Sequence, residues 1–121
     1  MAVIELTTAT FEQAVQNNDC VMIDFWAPWC GPCRSFAPIY DKVSEDFPDV
    51  VFAKVNTEEH QDIASHFQIR SIPTLMIFRD QIIIFSQAGA LPEGGLRELL
   101  TQAKALDMAE VKKSIAEQAG Q

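Results

Sequence analysis

Trp29-Cys30-Gly31-Pro32-Cys33 sits at a junction between two differently patterned stretches. Before it, Val21-Met22-Ile23-Asp24-Phe25-Trp26 is apolar except at Asp24. That pattern reads as a central strand buried on both faces, as in sheets covered by helices on each side. After it, the segment from Arg34 to about Phe47 reads as a helix carrying Pro38, whose missing N–H predicts a kink. Pro32 suits a first helical turn, since its absent N–H would have no partner there. Cys30 then lies just ahead of the helix and Cys33 within its first turn, where unpaired N–H groups and the helix dipole favour negative charge. Such a position lowers a thiol's pKa, and the thiolate is the nucleophilic form.

Working outward, Val3–Leu6 is a short first strand. Thr10 with Gln13 has capping-box spacing for a helix that presents Phe11 and Val15 on one face and ends at Asn17-Asn18-Asp19. Val50–Val55 is the next strand, and Thr57 is placed to cap a short helix running to about His66. Thr74–Phe78 and Ile82–Phe85 are apolar runs joined by Arg79-Asp80-Gln81, which predicts a hairpin. That turn lacks glycine, so Asp80 or Gln81 must accept a positive φ or the turn must be of another type. A helix follows from Pro92-Glu93 through Leu96, Leu99, Leu100 and Ala103. Asp107 and Glu110 have capping-box spacing, which predicts a break and a fresh helix start. A single helix from Glu93 to Ala119 would be ~40 Å long at 1.5 Å per residue, more than one small domain needs. Val111 and Ile115 form only a thin apolar stripe, so residues 107–121 read as a weakly docked helix or a frayed extension.

A chain of 121 residues with 48% apolar and 21% charged side chains fits one globular domain. Nine basic against seventeen acidic residues give a net charge of -8, which argues against nucleic acid as a general partner. No run approaches ~18 apolar residues, so no membrane span is expected. The N-terminal stretch lacks a basic, then apolar, leader pattern, and the chain reads as cytoplasmic. There a C-x-x-C pair is catalytic or metal-binding more often than structural. Three cysteines cannot build a four-thiolate zinc site, and His60 and His66, six apart on a predicted helix, fall on different faces. Flanked by tryptophan, spaced by Gly-Pro and set between strand and helix, the pair reads as redox-active. No metal is expected.

Asp24-Phe25-Trp26-Ala27, Trp29-Cys30-Gly31-Pro32-Cys33, Ile72-Pro73-Thr74 and Gly89-Ala90 resemble the thioredoxin family, with the motifs in the family's order over about residues 3–106. The resemblance implies an α/β fold: a three-layer α/β/α sandwich around a mixed five-stranded sheet, with residues 1–106 as the domain and 107–121 as an extension. It implies thiol–disulfide exchange that reduces protein disulfides. Cys30 would be the attacking thiolate, and Cys33 would resolve the mixed disulfide. Asp24 would be a buried proton acceptor for Cys33, its pKa raised by desolvation, with Lys54 nearby. Gly31, Pro32 and Pro73 would support the site. Pro73 would follow a cis bond that leaves the Ile72 backbone free to pair with an extended substrate and keeps metal off the thiols. Trp29, Ile72, Pro73, Gly89 and Ala90 would rim an apolar docking patch.

By the same resemblance no cofactor is bound. Electrons come from NADPH through a thioredoxin reductase, and the partners are that reductase and disulfide-containing proteins, met as a monomer. Two rival readings stand beside this one: an oxidant or isomerase using the same sulfurs, and a non-catalytic binding subunit. A first sulfur shut away from solvent would count against the reductase reading. Cys20, at the start of a buried strand, reads as a core residue.

Overall fold

The computed structural model describes residues 3–120. Along the chain run β1 (Val3–Leu6), α1 (Phe11–Gln16), β2 (Cys20–Trp26), α2 (Gly31–Ser44), β3 (Val51–Asn56), α3 (Gln61–His66), β4 (Thr74–Arg79), β5 (Ile82–Ala88), α4 (Glu93–Ala105) and α5 (Met108–Ala119). The five strands form one sheet in the order β1-β3-β2-β4-β5. β1, β3 and β2 run parallel, while β4 is antiparallel to β2 and β5 to β4. The mixed sheet follows from the connections. Helix α1 carries the chain from β1 past one strand position to β2, and α2 brings it back to β3 between them, all three parallel, whereas β4 and β5 are joined directly as a hairpin.

Alternation along the strands sorts the core into two layers. Met22, Phe52, Leu75 and Ile77 meet Phe36, Tyr40 and Val43 of α2 and Leu96, Leu100 and Ala103 of α4. On the other face Val21, Ile23, Phe25, Ala53, Val55 and Phe78 meet Val15 of α1 and Ile63 of α3. β2 is buried from Cys20 to Phe25, as its continuous apolar run requires. Tyr40 is buried in the first layer, its hydroxyl 3.0 Å from the Met22 carbonyl and 2.8 Å from that of Ala53. One O–H can donate to only one of them at a time.

Several local expectations need correction. Thr10 stands at the N-cap of α1, but its hydroxyl makes no cap bond; it accepts the Thr7 N–H at 2.9 Å instead. Thr57 does not cap α3. Its hydroxyl donates to the Trp26 carbonyl at 3.0 Å, and His60 takes the N-cap position outside the helix without a side-chain cap bond, its Nδ1 instead accepting the Thr8 N–H at 3.4 Å. Helix α2 stops at Ser44 rather than near Phe47. The hairpin turn is the two residues Asp80 and Gln81, both at positive φ, 50° and 69°. Positive φ at both central positions is the mirror-image turn that matches strand twist. The pairing jumps from Ile77–Phe85 to Phe78–Ile83, so Ile84 is an extra residue on β5 and forms a bulge. At Asp107 the chain breaks as the spacing predicts, and its side chain accepts the Glu110 N–H at 3.2 Å.

Arg79 and Asp80 organise the end of the sheet away from the cysteines. The Arg79 guanidinium donates to the last carbonyls of α4, those of Ala103 and Lys104, where helix carbonyls lack partners. Asp80 pairs with Lys112 of α5 at 3.0 Å, and Met108 is buried beneath the start of that helix.

Candidate active site

The site lies where β2 ends and α2 begins. Cys30 is the N-cap of α2, in extended conformation, and its sulfur accepts the Cys33 N–H at 3.2 Å. Pro32 occupies the first helical positions, as expected of a residue with no N–H to satisfy. The two cysteines are bonded as a disulfide, with Cα atoms 5.2 Å apart. Ala27, Trp26 and Ile72 pack around them. The approach is braced by Arg34, which donates to the Pro28 carbonyl at 2.9 Å.

Cys30 is 4% exposed and Cys33 2%. Both residues are buried, the first only slightly less than the second. What distinguishes the two is backbone environment. Cys30 Sγ takes a helix N–H and lies 3.8 Å from the Ile72 carbonyl oxygen. As a disulfide it has no hydrogen to give that carbonyl, so the latter is a contact; only the reduced thiol could donate there.

Asp24 is 3% exposed. Its register partners are Lys54 on β3 and Leu75 on β4, and one of its oxygens, Oδ1, is buried without a hydrogen-bond partner. Burial raises its pKa from 3.8 to about 7, while the Lys54 charge pulls the other way. Residues 22, 24 and 26 share one face of β2, the face toward α2, so Asp24 lies in the layer whose helix carries Cys33 in its first turn.

The Ile72–Pro73 bond is cis. Pro73 is buried and Ile72 half-buried, and the Pro73 carbonyl accepts the Gly89 N–H at 2.8 Å. This bond draws the 72–73 and 89–90 loops together. Gly89 has φ +104°, which only glycine adopts readily. Around Gly31 and Gly89 there is open space where a Cβ would stand. Trp29 is the most exposed large apolar side chain among the described residues, at 66%. Its indole N–H bonds the Glu58 carboxylate, a contact across 29 positions that no motif announces. Beside it runs a groove of about 490 Å3 lined by Thr57, Gln61, Ala64 and Ile69. Another groove, of about 580 Å3, lies between α1 and α3 over Phe11 and Phe67 and contains neither cysteine.

Among the described residues no group of three or more His, Cys, Asp or Glu is placed to hold a metal. No described helix is long and apolar enough to cross a membrane.

A cysteine pair bonded at the N-terminus of a sheet-buried helix defines the class: a thiol–disulfide oxidoreductase. The family description "Thioredoxin" matches residues 2–102, and the chain belongs to the thioredoxin family. It is 53% identical over 118 residues to a Streptomyces coelicolor protein whose name marks it as a provisional thioredoxin 2, covering 98% of this chain and 88% of that one. It is 47% identical over 97 residues to thioredoxin 1 of Synechococcus elongatus, covering 78% and 91%. Among solved structures, a mutant thioredoxin from Halobacterium salinarum superposes with a TM-score of 0.80 at 29% identity, over 87% of this chain and 93% of that one. With the fold and the cysteine pair, these relatives establish a protein-disulfide reductase working through the Cys30–Cys33 couple. The family match ends at residue 102, whereas the Streptomyces alignment is long enough to include most of α5.

Proposed function

We propose the following division of labour within that activity. In the reduced protein the Cys30 thiolate attacks one sulfur of a substrate disulfide. That bond breaks, a Cys30–substrate bond forms, and the departing substrate sulfur takes a proton. Cys33 then gives its proton to Asp24 and attacks the Cys30 sulfur. The second substrate thiol leaves, and the Cys30–Cys33 disulfide remains, two electrons having passed to the substrate. The observation that carries this assignment is the Cys33 N–H donated to Cys30 Sγ at the N-cap of α2, a bond that strengthens when the sulfur is an anion. The raised pKa of Asp24, near the working pH, suits a proton acceptor.

Trp29, Ile72, Pro73, Gly89 and Ala90 form the substrate rim, with Gly31, Pro32 and Lys54 in support. The Ile72 backbone, in the bend just ahead of β4, offers its polar groups to a substrate strand. Family membership supports the supply side: electrons from NADPH through a thioredoxin reductase, in the cytoplasm, to a monomeric carrier without bound cofactor. Residues 1–106 are the thioredoxin domain, and 107–121 are an appended segment outside it.

Trapping tests the reading. Cys33→Ser is expected to accumulate mixed disulfides with protein substrates on Cys30, visible by non-reducing electrophoresis and mass spectrometry. Cys30→Ser is expected to accumulate none. Adducts on Cys33 of the Cys30→Ser variant, at a level matching the first, would reverse the assignment.

A further inference from the structure

Asp24 and Trp26 are alternate residues of β2, and Lys54 stands opposite Asp24 on β3. Period-two alternation therefore puts all three on the face toward α2. Lys54 Nζ lies 4.8 Å from the centre of the Trp26 ring, within cation–π range. Among the described residues Lys54 forms no salt bridge. The Trp26 indole N–H is buried without a partner, unlike that of Trp29, which Glu58 holds. Among the described residues no side chain or backbone group bonds the polar edge of the Trp26 ring, and the Lys54 ammonium lies over its π face.

We propose that Trp26 is a positioning residue for the exchange reaction: its ring pins the Lys54 ammonium where that charge bears on the Asp24 carboxyl. A lysine on a four-carbon stem otherwise extends its head into water, where screening removes most of its effect. The other groups around Asp24 do not substitute for it. From α2 comes Tyr40, whose buried hydroxyl is held by the Met22 and Ala53 carbonyls and whose pKa is raised well above 10.0 chiefly by burial, so it stays neutral. Cys33 lies in the first turn of the same helix. From β4 comes Leu75, and from α4 come Leu96 and Leu100. Lys54 is thus the charge that opposes desolvation at Asp24.

The kinetic side of this proposal rests on the reading of Asp24 as proton acceptor; the titration side does not. The test is a double-mutant cycle on the oxidised full chain, with the Asp24 carboxyl followed by NMR as pH is varied. Lys54→Met is expected to raise the Asp24 midpoint. Trp26→Leu is expected to raise it by about half a pH unit, the lysine being present but unpinned. Trp26→Phe, which keeps an aromatic face and packs more conservatively, is expected to restore most of the midpoint. In the Lys54→Met background Trp26→Leu is expected to move it no further. Equal shifts from Trp26→Leu with and without Lys54 would overturn the proposal, as would no shift where Lys54→Met gives one. The pH profile of insulin reduction should follow the same shifts. If the midpoints move but that profile does not, and Asp24→Asn also leaves it unmoved, the acceptor reading fails while the positioning of Lys54 stands.

Discussion

Asp24 and Lys54 are direct register partners on adjacent parallel strands, an acid and a base side by side in an otherwise apolar layer, yet not joined in a salt bridge. The lysine's charge opposes only part of what burial does to the acid.

The pH dependence of stability follows. With the folded pKa raised from 3.8 to about 7, the native state binds a proton more tightly than the unfolded chain does. The stabilisation is fully present below about pH 4 and is lost as pH rises through 7. The loss is roughly 4 kcal/mol at most, from about three pKa units at 1.36 kcal/mol each. Asp24→Asn is therefore expected to be markedly more stable than the parent at pH 8 and nearly equal to it at pH 4. Denaturant midpoints of the oxidised proteins at the two pH values test this; equal stability at pH 8 would show the acid to be better solvated than its burial indicates. The same variant is expected to reduce insulin more slowly at neutral pH.

Trp29 projects beside the cysteine pair and is anchored by Glu58. Exposed, held aromatic groups carry much of the affinity at docking surfaces. Trp29→Ala is expected to lower kcat/KM toward a protein disulfide about tenfold, as a loss of ~1.4 kcal/mol would. It should leave reduction of a small aromatic disulfide within about twofold. Equal losses on both substrates would place Trp29 in the chemistry rather than in docking.

Gln81 holds φ at 69° without being glycine, which costs about 1 kcal/mol in an L-residue. Gln81→Gly is expected to raise Tm by about 4 °C, the usual equivalent for a domain near this size, with activity unchanged. Asp80 is a poorer target, because its N–H donates to the Asp19 carbonyl at 2.9 Å and its carboxylate pairs with Lys112. A lowered Tm for Gln81→Gly would mean that the chain entropy gained by the unfolded state outweighs the relief.

Asp107 caps α5 through the Glu110 N–H. Asp107→Ala is expected to destabilise that helix locally by about 1 kcal/mol. Hydrogen exchange should speed about fivefold at amides within α5. Amides of β2 and β3, and insulin reduction, should be unaffected. Faster exchange spreading to β2 would show that α5 supports the whole domain.

Much of this was legible in advance because it depends on neighbours in sequence. The buried run before Cys30, the proline after it and the Asp107–Glu110 spacing each specify local geometry through a few adjacent residues. The failures share a cause. Thr10 and Thr57 have the right chemistry for caps, but their hydroxyls are taken by Thr7 and by Trp26, the latter 31 positions away. Nor could spacing show that Glu58 would hold Trp29, that Lys54 would lie over Trp26, or that the 89–90 loop would bond the Pro73 carbonyl. Those contacts depend on strand register and loop closure, which the sequence pattern leaves open.

Because β4 runs antiparallel to β2, with Cys20 opposite Arg79, the hairpin tip sits at the pole farthest from the disulfide. Asp80 moors α5 there. A bead, electrode or fused partner attached through that last helix would hold the molecule by its base. The reactive sulfurs would then point outward, available to large proteins even when the carriers are packed densely on a surface.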